Sequence, residues 1–108
     1  MVRRNKYGNK RVTLDGYKFD SIAESKRYAE LKLLEKAGEI KDLEVHVIYP
    51  LMVKGMIVGR YEADFVYTDK ATGAYVTEDV KGHRTREYIL KKNLMKAIHG
   101  IEIWEIKA

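Results

Sequence analysis

The sequence predicts an α/β (α+β) fold: a mixed central sheet flanked by helices, in the order helix, three strands, helix, strand, with a short hairpin in front. Three observations predict it. An amphipathic stretch opens at Ser21 and closes at Gly38; a region rich in β-formers between Val45 and Lys81 is cut into strands by turn residues; and a second capped stretch from Thr85 to Gly100 is followed by the apolar Ile101 to Ile106. Strands that lead into a helix and a returning strand imply a mixed sheet with helices packed on it.

The elements follow in order. Val12 and Leu14 before Asp15-Gly16, with Tyr17 and Phe19 after it, read as a hairpin closed by a favoured two-residue turn. Ser21 is the N-cap of the first helix, with Glu24 three residues on as the other half of a capping box. Its buried stripe is read as Ile22, Ala29, Leu33 and Ala37, widened by Leu31 and Leu34. Residues 39–44 read as a polar connection, followed by a strand from Val45 to Val53 in which Pro50 implies an edge, a bulge or a break, because proline donates nothing to a ladder. Gly55 and Gly59 bracket a turn region, and the next strand runs from about Val58 to Thr68. Asp69 to Gly73 is a loop, and Tyr75 to Lys81 a strand ended by Gly82. Thr85 caps a second helix to His99, with Tyr88, Ile89, Leu94, Met95 and Ile98 as its apolar stripe and Gly100 at its C-terminal end. In the last strand, Trp104 is expected in the core.

A chain of 108 residues is one domain by size, read as a basic arm over 1–11 and a folded domain over 12–108. It has no cysteine, which excludes disulfides, thiolate metal sites and cysteine nucleophiles. The longest apolar run, Val47 to Val53, is too short to span a bilayer, and the N-terminus lacks the charged-then-apolar pattern of a signal peptide. The net charge of +5 is localised: Arg3, Arg4, Lys6, Lys10 and Arg11 account for five of the 21 basic residues, and the others match the 16 acidic residues one for one. A basic arm on a balanced domain suits a polyanion partner, since each neutralised phosphate releases counterions.

Two strands carry acids where a core favours apolar residues. Side chains alternate along a strand, so Asp79 and Lys81 share one face while Glu78 and Val80 share the other. Asp64, flanked by Ala63 and Phe65, is brought near them if its strand pairs across the Thr68–Ala74 turn. The arrangement is a metal site containing a lysine, or an ion pair. Glu24 on the first helix is a third acid able to converge there, or serves only its capping box. Hard oxygen ligands of this kind suit Mg²⁺, with Mn²⁺ as a substitute, and phosphodiester hydrolysis is the reaction such a site serves. Lys81 would orient the attacking water, accept its proton or stabilise the charged phosphorane. His83, Arg84 and Arg86 follow the site directly, with Lys91 and Lys92 on the second helix, and with the arm they form the candidate phosphate contacts. His46 and His99 are read as structural.

Asp64, then Asp79-Val80-Lys81 on a later strand, with a helix bearing Glu24 in front, resembles the PD-(D/E)XK nuclease superfamily and its restriction-endonuclease-like αβββαβ core. Lys6-Tyr7-Gly8-Asn9-Lys10, Phe19-Asp20-Ser21, Glu39 to Leu43, Ala63-Asp64-Phe65 and Glu78 to Gly82 are similar to the small phage-encoded endonucleases of that superfamily, including Holliday-junction resolvases. The resemblance implies a homodimeric enzyme of the host-cell cytoplasm that cuts branched DNA to leave 5′-phosphate and 3′-hydroxyl ends. It implies Asp64 and Asp79 as metal ligands, the Val80 carbonyl as a further ligand, Lys81 as the catalytic lysine and Glu24 as the helix acid that completes the site, directly or through water. The sequence departs from the pattern in having Ala63 before Asp64, and His46 where the phage relatives have glutamine. Alternative readings are a flap, nick or mismatch nuclease of the same superfamily, and a non-catalytic nucleic-acid-binding protein.

Overall fold

The computed structural model describes residues 10–108. Arg3, Arg4, Lys6 and Tyr7, and with them most of the expected basic arm, lie outside the described residues. The chain runs β1 (Val12–Leu14), β2 (Tyr17–Phe19), α1 (Ile22–Lys36), β3 (Ile40–Val53), β4 (Met56–Asp69), β5 (Tyr75–Lys81), α2 (Arg86–His99) and β6 (Ile103–Lys107). The first two strands form a separate hairpin, and the other four form one sheet in the order β3-β4-β5-β6. The β3-β4-β5 pairs are antiparallel, and α2 is the crossover that returns β6 parallel to β5. This is the mixed α+β sheet and the element order that the sequence predicts.

The helix ends form where the side chains allow. Ser21 accepts the Glu24 N–H and Thr85 the Tyr88 N–H, each satisfying a donor of the first turn. Gly100 stops α2 in the left-handed conformation, where the absence of a Cβ removes the steric cost. The buried face of α1 differs from the expected one. Glu24, Ser25, Tyr28 and Leu31 point inward, whereas Ile22, Ala29 and Leu33 are exposed, Leu33 by 67%. The polar pair Glu24 and Ser25 occupies the inward face of the first turn, and this displaces the apolar stripe.

The sheet is longer than expected. Residues 40–44, read as a connection, already belong to β3, and the β3–β4 turn is Lys54-Gly55, so that Met56 to Val58 lie in β4. Pro50 sits in the edge strand β3, one residue before the register shift between Leu51 and Met52; a missing N–H costs no ladder bond there, and its carbonyl meets His99 Nε2 at 2.8 Å. Trp104, expected in the core, is 60% exposed, and Ile89 is also exposed.

Two apolar clusters clamp the sheet. On one face Tyr28 and Leu31 of α1 pack with Phe19, Ile40, Phe65, Tyr67 and Val76. On the other, Tyr88 and Met95 of α2 pack with Leu51, Tyr61, Ala63 and Ile103. The odd-numbered β4 residues therefore change face between Ala63 and Phe65. At that point the register passes from Val45↔Phe65 to Val47↔Ala63, and His46, opposite Asp64, has a φ of 56°. Both strands roll over at the His46–Asp64 position, and the roll lies beside the candidate site.

Candidate functional site

The β4–β5 ladder is paired from Thr68↔Tyr75 to Phe65↔Glu78 and ends there. Beyond it the carboxylates connect the strands. Asp64 Oδ2 accepts the Val80 backbone N–H at 2.8 Å. The Asp64 backbone in turn bonds the Asp79 carboxylate, one of the contacts that oppose its protonation. Asp64 and Asp79 thus sit side by side where the strands part, as strand alternation predicts.

Asp79 is buried, accepts the Tyr61 hydroxyl, and has Lys81 Nζ 3.9 Å from its Oδ2. The same ammonium lies 4.3 Å from the centroid of the Tyr88 ring, a cation–π contact that holds it over the face of α2. Glu24, also buried, enters from the first turn of α1. Its carboxylate meets His46 Nε2 at 3.0 Å, and no contact returns it to the Ser21 N–H that a full capping box would use. Ring packing of His46 against Phe19, with centroids 5.6 Å apart, completes the seat of that pair.

The electrostatics follow from burial. The Asp64 carboxyl is pushed up to about 7, first by desolvation and then by the negative Glu24, with the Val80 N–H, Lys81 and His46 acting against the rise. Asp79 is also raised to about 7 by desolvation, with Lys81 and the Asp64 backbone opposing and Glu24 and Glu105 adding to it. Lys81 opposes the rise at both aspartates without reversing it.

Glu78 lies on the opposite face of β5, as expected. It is fully buried in a bidentate pair with Arg27, at 2.8 and 2.7 Å, and accepts the Tyr67 hydroxyl. The Arg27 guanidinium is held still more firmly in its charged form by that pairing. This cluster fastens α1 to β5.

The candidate phosphate contacts among the described residues divide into four groups, with His83 and Arg84 each in two of them. Lys10 and His83, with Lys81, line a cleft of about 490 Å³ between the N-terminal turns of the two helices, alongside Ser21, Ile22, Ala23, Gly82 and Thr85. Arg84 and His83 line an adjoining depression with Lys107 and Glu105. Arg84 and Lys92 both pair with Glu105, which also accepts the Tyr88 hydroxyl at 2.8 Å, and Lys91 pairs with Glu87 at 3.1 Å. Arg11 and Arg86 are exposed at the start of the described chain and at the start of α2.

His46, Tyr61 and Tyr88 complete the site and were not assigned to it from sequence. For His46 a signal existed: counting back from the Lys54-Gly55 turn with one bulged residue sets it opposite Asp64. No local pattern points to Tyr61. In chemical type, three carboxylates from three elements are hard oxygen donors of the kind divalent cations take. Among the described residues, however, no three His, Cys, Asp or Glu side chains are already gathered as a ligand group.

Comparison places the chain in a family. Residues 4–107 match the family described as Protein of unknown function (DUF1064), and the protein belongs to it. No curated protein matches the chain, and no solved structure does.

Proposed function

We propose that this protein is a metal-dependent, structure-selective DNA endonuclease that hydrolyses phosphodiesters in branched DNA, as a Holliday-junction resolvase of the PD-(D/E)XK type. The observation that carries the reading is the meeting of Asp64, Asp79 and Lys81 where β4 and β5 part, with Glu24 near enough to raise both aspartates. A structural ion pair needs one acid for one lysine, whereas an excess of buried carboxylate suits a divalent cation.

Asp64 and Asp79, with the Val80 carbonyl, would hold Mg²⁺ or Mn²⁺, and Glu24 would complete the set through water. The cation, when bound, supplies an activated water and offsets charge on the phosphoryl group. Lys81, held by Asp79 and the Tyr88 ring, is placed to orient the attacking water and to stabilise the phosphorane. The water oxygen bonds to phosphorus as the P–O3′ bond breaks, leaving a 5′-phosphate and a 3′-hydroxyl. The cleft beside Lys81 suits the substrate strand, because helix N-termini and lysines favour phosphate. Two symmetric cuts across a junction need two sites, which a homodimer provides.

The test is incubation of labelled four-way junction, flap and linear duplex with Mg²⁺ and with EDTA. Paired nicks in the junction, abolished by EDTA and lowered roughly 100-fold or more by Asp79→Asn with junction binding retained, are the expected result. Equal cutting of linear duplex would remove the junction assignment. Binding without any cleavage would make the protein a DNA-binding module.

A further inference from the structure

The β3–β4 hairpin extends past the rest of the sheet. Among the described residues, β4 meets β5 only from Phe65 onward, so over Met56 to Ala63 its only described strand partner is β3. Tyr49, Leu51, Tyr61 and Ala63 are packed against α2, and among the described residues the tip beyond them has no such cover. Met52, Val53, Met56, Ile57 and Val58 at the tip, with Ile48 at its base, are 41% to 68% exposed. Met52 and Val53 are consecutive in β3 and so face opposite ways, which makes the ribbon apolar on both faces. The register slips by one residue between Leu51 and Met52, leaving Val58 as an additional, outward apolar residue.

We infer that this ribbon tip is the dimerisation surface of the protein, and that its occupant is the same tip of a second copy, related by a two-fold axis. Area is the first argument. Six half-exposed side chains of this size present on the order of 500–600 Å² over the two faces of the tip together, a large part of the roughly 800 Å² per partner that a standard interface buries. Charge is the second. From Leu51 to Gly59 the only charged residue is Lys54. Two copies can therefore meet there with little repulsion, whereas a phosphate-binding ribbon needs several cations. Geometry is the third: an isologous contact sets the same patch of each copy against its equivalent, so an exposed apolar face of one tip is covered by that of the other. Asp64 lies on the same strand as the tip, so the contact would tie the two candidate sites together by one continuous β-ribbon.

Sedimentation of the full chain tests this independently of any nuclease activity. Wild type is expected at twice 12.6 kDa, and Met56→Glu combined with Ile57→Glu is expected to sediment as a monomer with an unchanged circular-dichroism spectrum. A second measurement stands in if that variant does not fold. The chain has no cysteine, so Val58→Cys carrying a nitroxide gives one label per copy, and electron paramagnetic resonance should report a short distance between copies. A monomeric wild type overturns the inference. So does a dimer that persists in the tip variant, or distant labels. A tip variant of a monomeric protein that loses junction binding would assign the patch to DNA instead.

Discussion

Asp64 and Asp79 show what a candidate site costs the fold. Each carboxyl ionises near 3.9 in an unfolded chain and near 7 in the folded one. A group that binds its proton more tightly when folded contributes stability that is fully present below about pH 4 and is lost as pH rises through about 7. Asp64→Asn and Asp79→Asn should therefore each stabilise the metal-free protein at pH 8, by about 2 kcal/mol after allowance for partial solvation, and the gain should vanish at pH 4. Urea unfolding in EDTA at the two pH values measures it; a loss of stability at pH 8 would mean that the Val80 and Tyr61 bonds outweigh the repulsion. Glu78 is the counter-example, a buried acid fully matched by Arg27 and Tyr67. Removing one partner of such a pair leaves an uncompensated charge, so Arg27→Ala should cost about 3–5 kcal/mol in the same assay. The separation of these two acids was legible in the sequence because strand alternation is local: Glu78 and Asp79 are neighbours and must face apart. Their partners, Arg27 for Glu78 and Tyr61 for Asp79, come from 51 and 18 positions away, a distance no short motif reports.

At the scale of elements, the paired roll of β3 and β4 is what brings Asp64 to the site. His46 occupies the left-handed region there, which β-branched residues resist strongly and glycine adopts without strain. His46→Val should therefore destabilise the fold by about 1–2 kcal/mol through the backbone alone. His46→Gly should cost less in stability yet release Glu24. On the proposed nuclease reading, a histidine that serves only the backbone would let the glycine variant cleave unchanged, whereas the contact with Glu24 predicts that its junction cutting needs more Mg²⁺ for half-maximal rate. Thermal unfolding and a Mg²⁺ titration separate the two effects. The caps were readable because Ser21, Thr85 and Gly100 act on backbone within three residues of themselves. The inward face of α1 was not, since Glu24 and Ser25 are polar residues turned inward at the site end, and an apolar count places the stripe elsewhere. The early start of β3 was missed for a related reason. Lys41, Asp42 and Glu44 are exposed on an edge strand, where polarity carries no penalty.

At the scale of the whole molecule, a two-helix clamp holds a sheet whose central strands part over an excess of negative charge. The sheet, its helices and the convergence of Asp64 with Asp79 and Lys81 were legible, because capping, alternation and turn residues are local signals that agree with one another. The hairpin tip was not legible as a surface, since Leu51 to Val58 reads like core until the turn is placed at Lys54-Gly55 and the cover of α2 is seen to stop short of it. The charge excess gives the proposal a signature in the unfolding of the entire domain. A cation that binds only the folded state stabilises by RT ln(1 + [L]/Kd), about 2.7 kcal/mol at 100 times Kd. Protons compete for the same two carboxylates, which are half protonated near pH 7. Saturating Mg²⁺ should therefore raise the Tm by several degrees at pH 8, and the increment should shrink through pH 7 and disappear by about pH 5.5. Ca²⁺, a hard oxygen-seeking ion of the same charge, should reproduce the increment, and the Asp79→Asn variant should show little of it at any pH. Differential scanning calorimetry across that range decides the matter: a Mg²⁺ increment that does not depend on pH, or that survives Asp79→Asn, would place the cation elsewhere on the protein and leave the acids at the parting of β4 and β5 without the partner proposed for them.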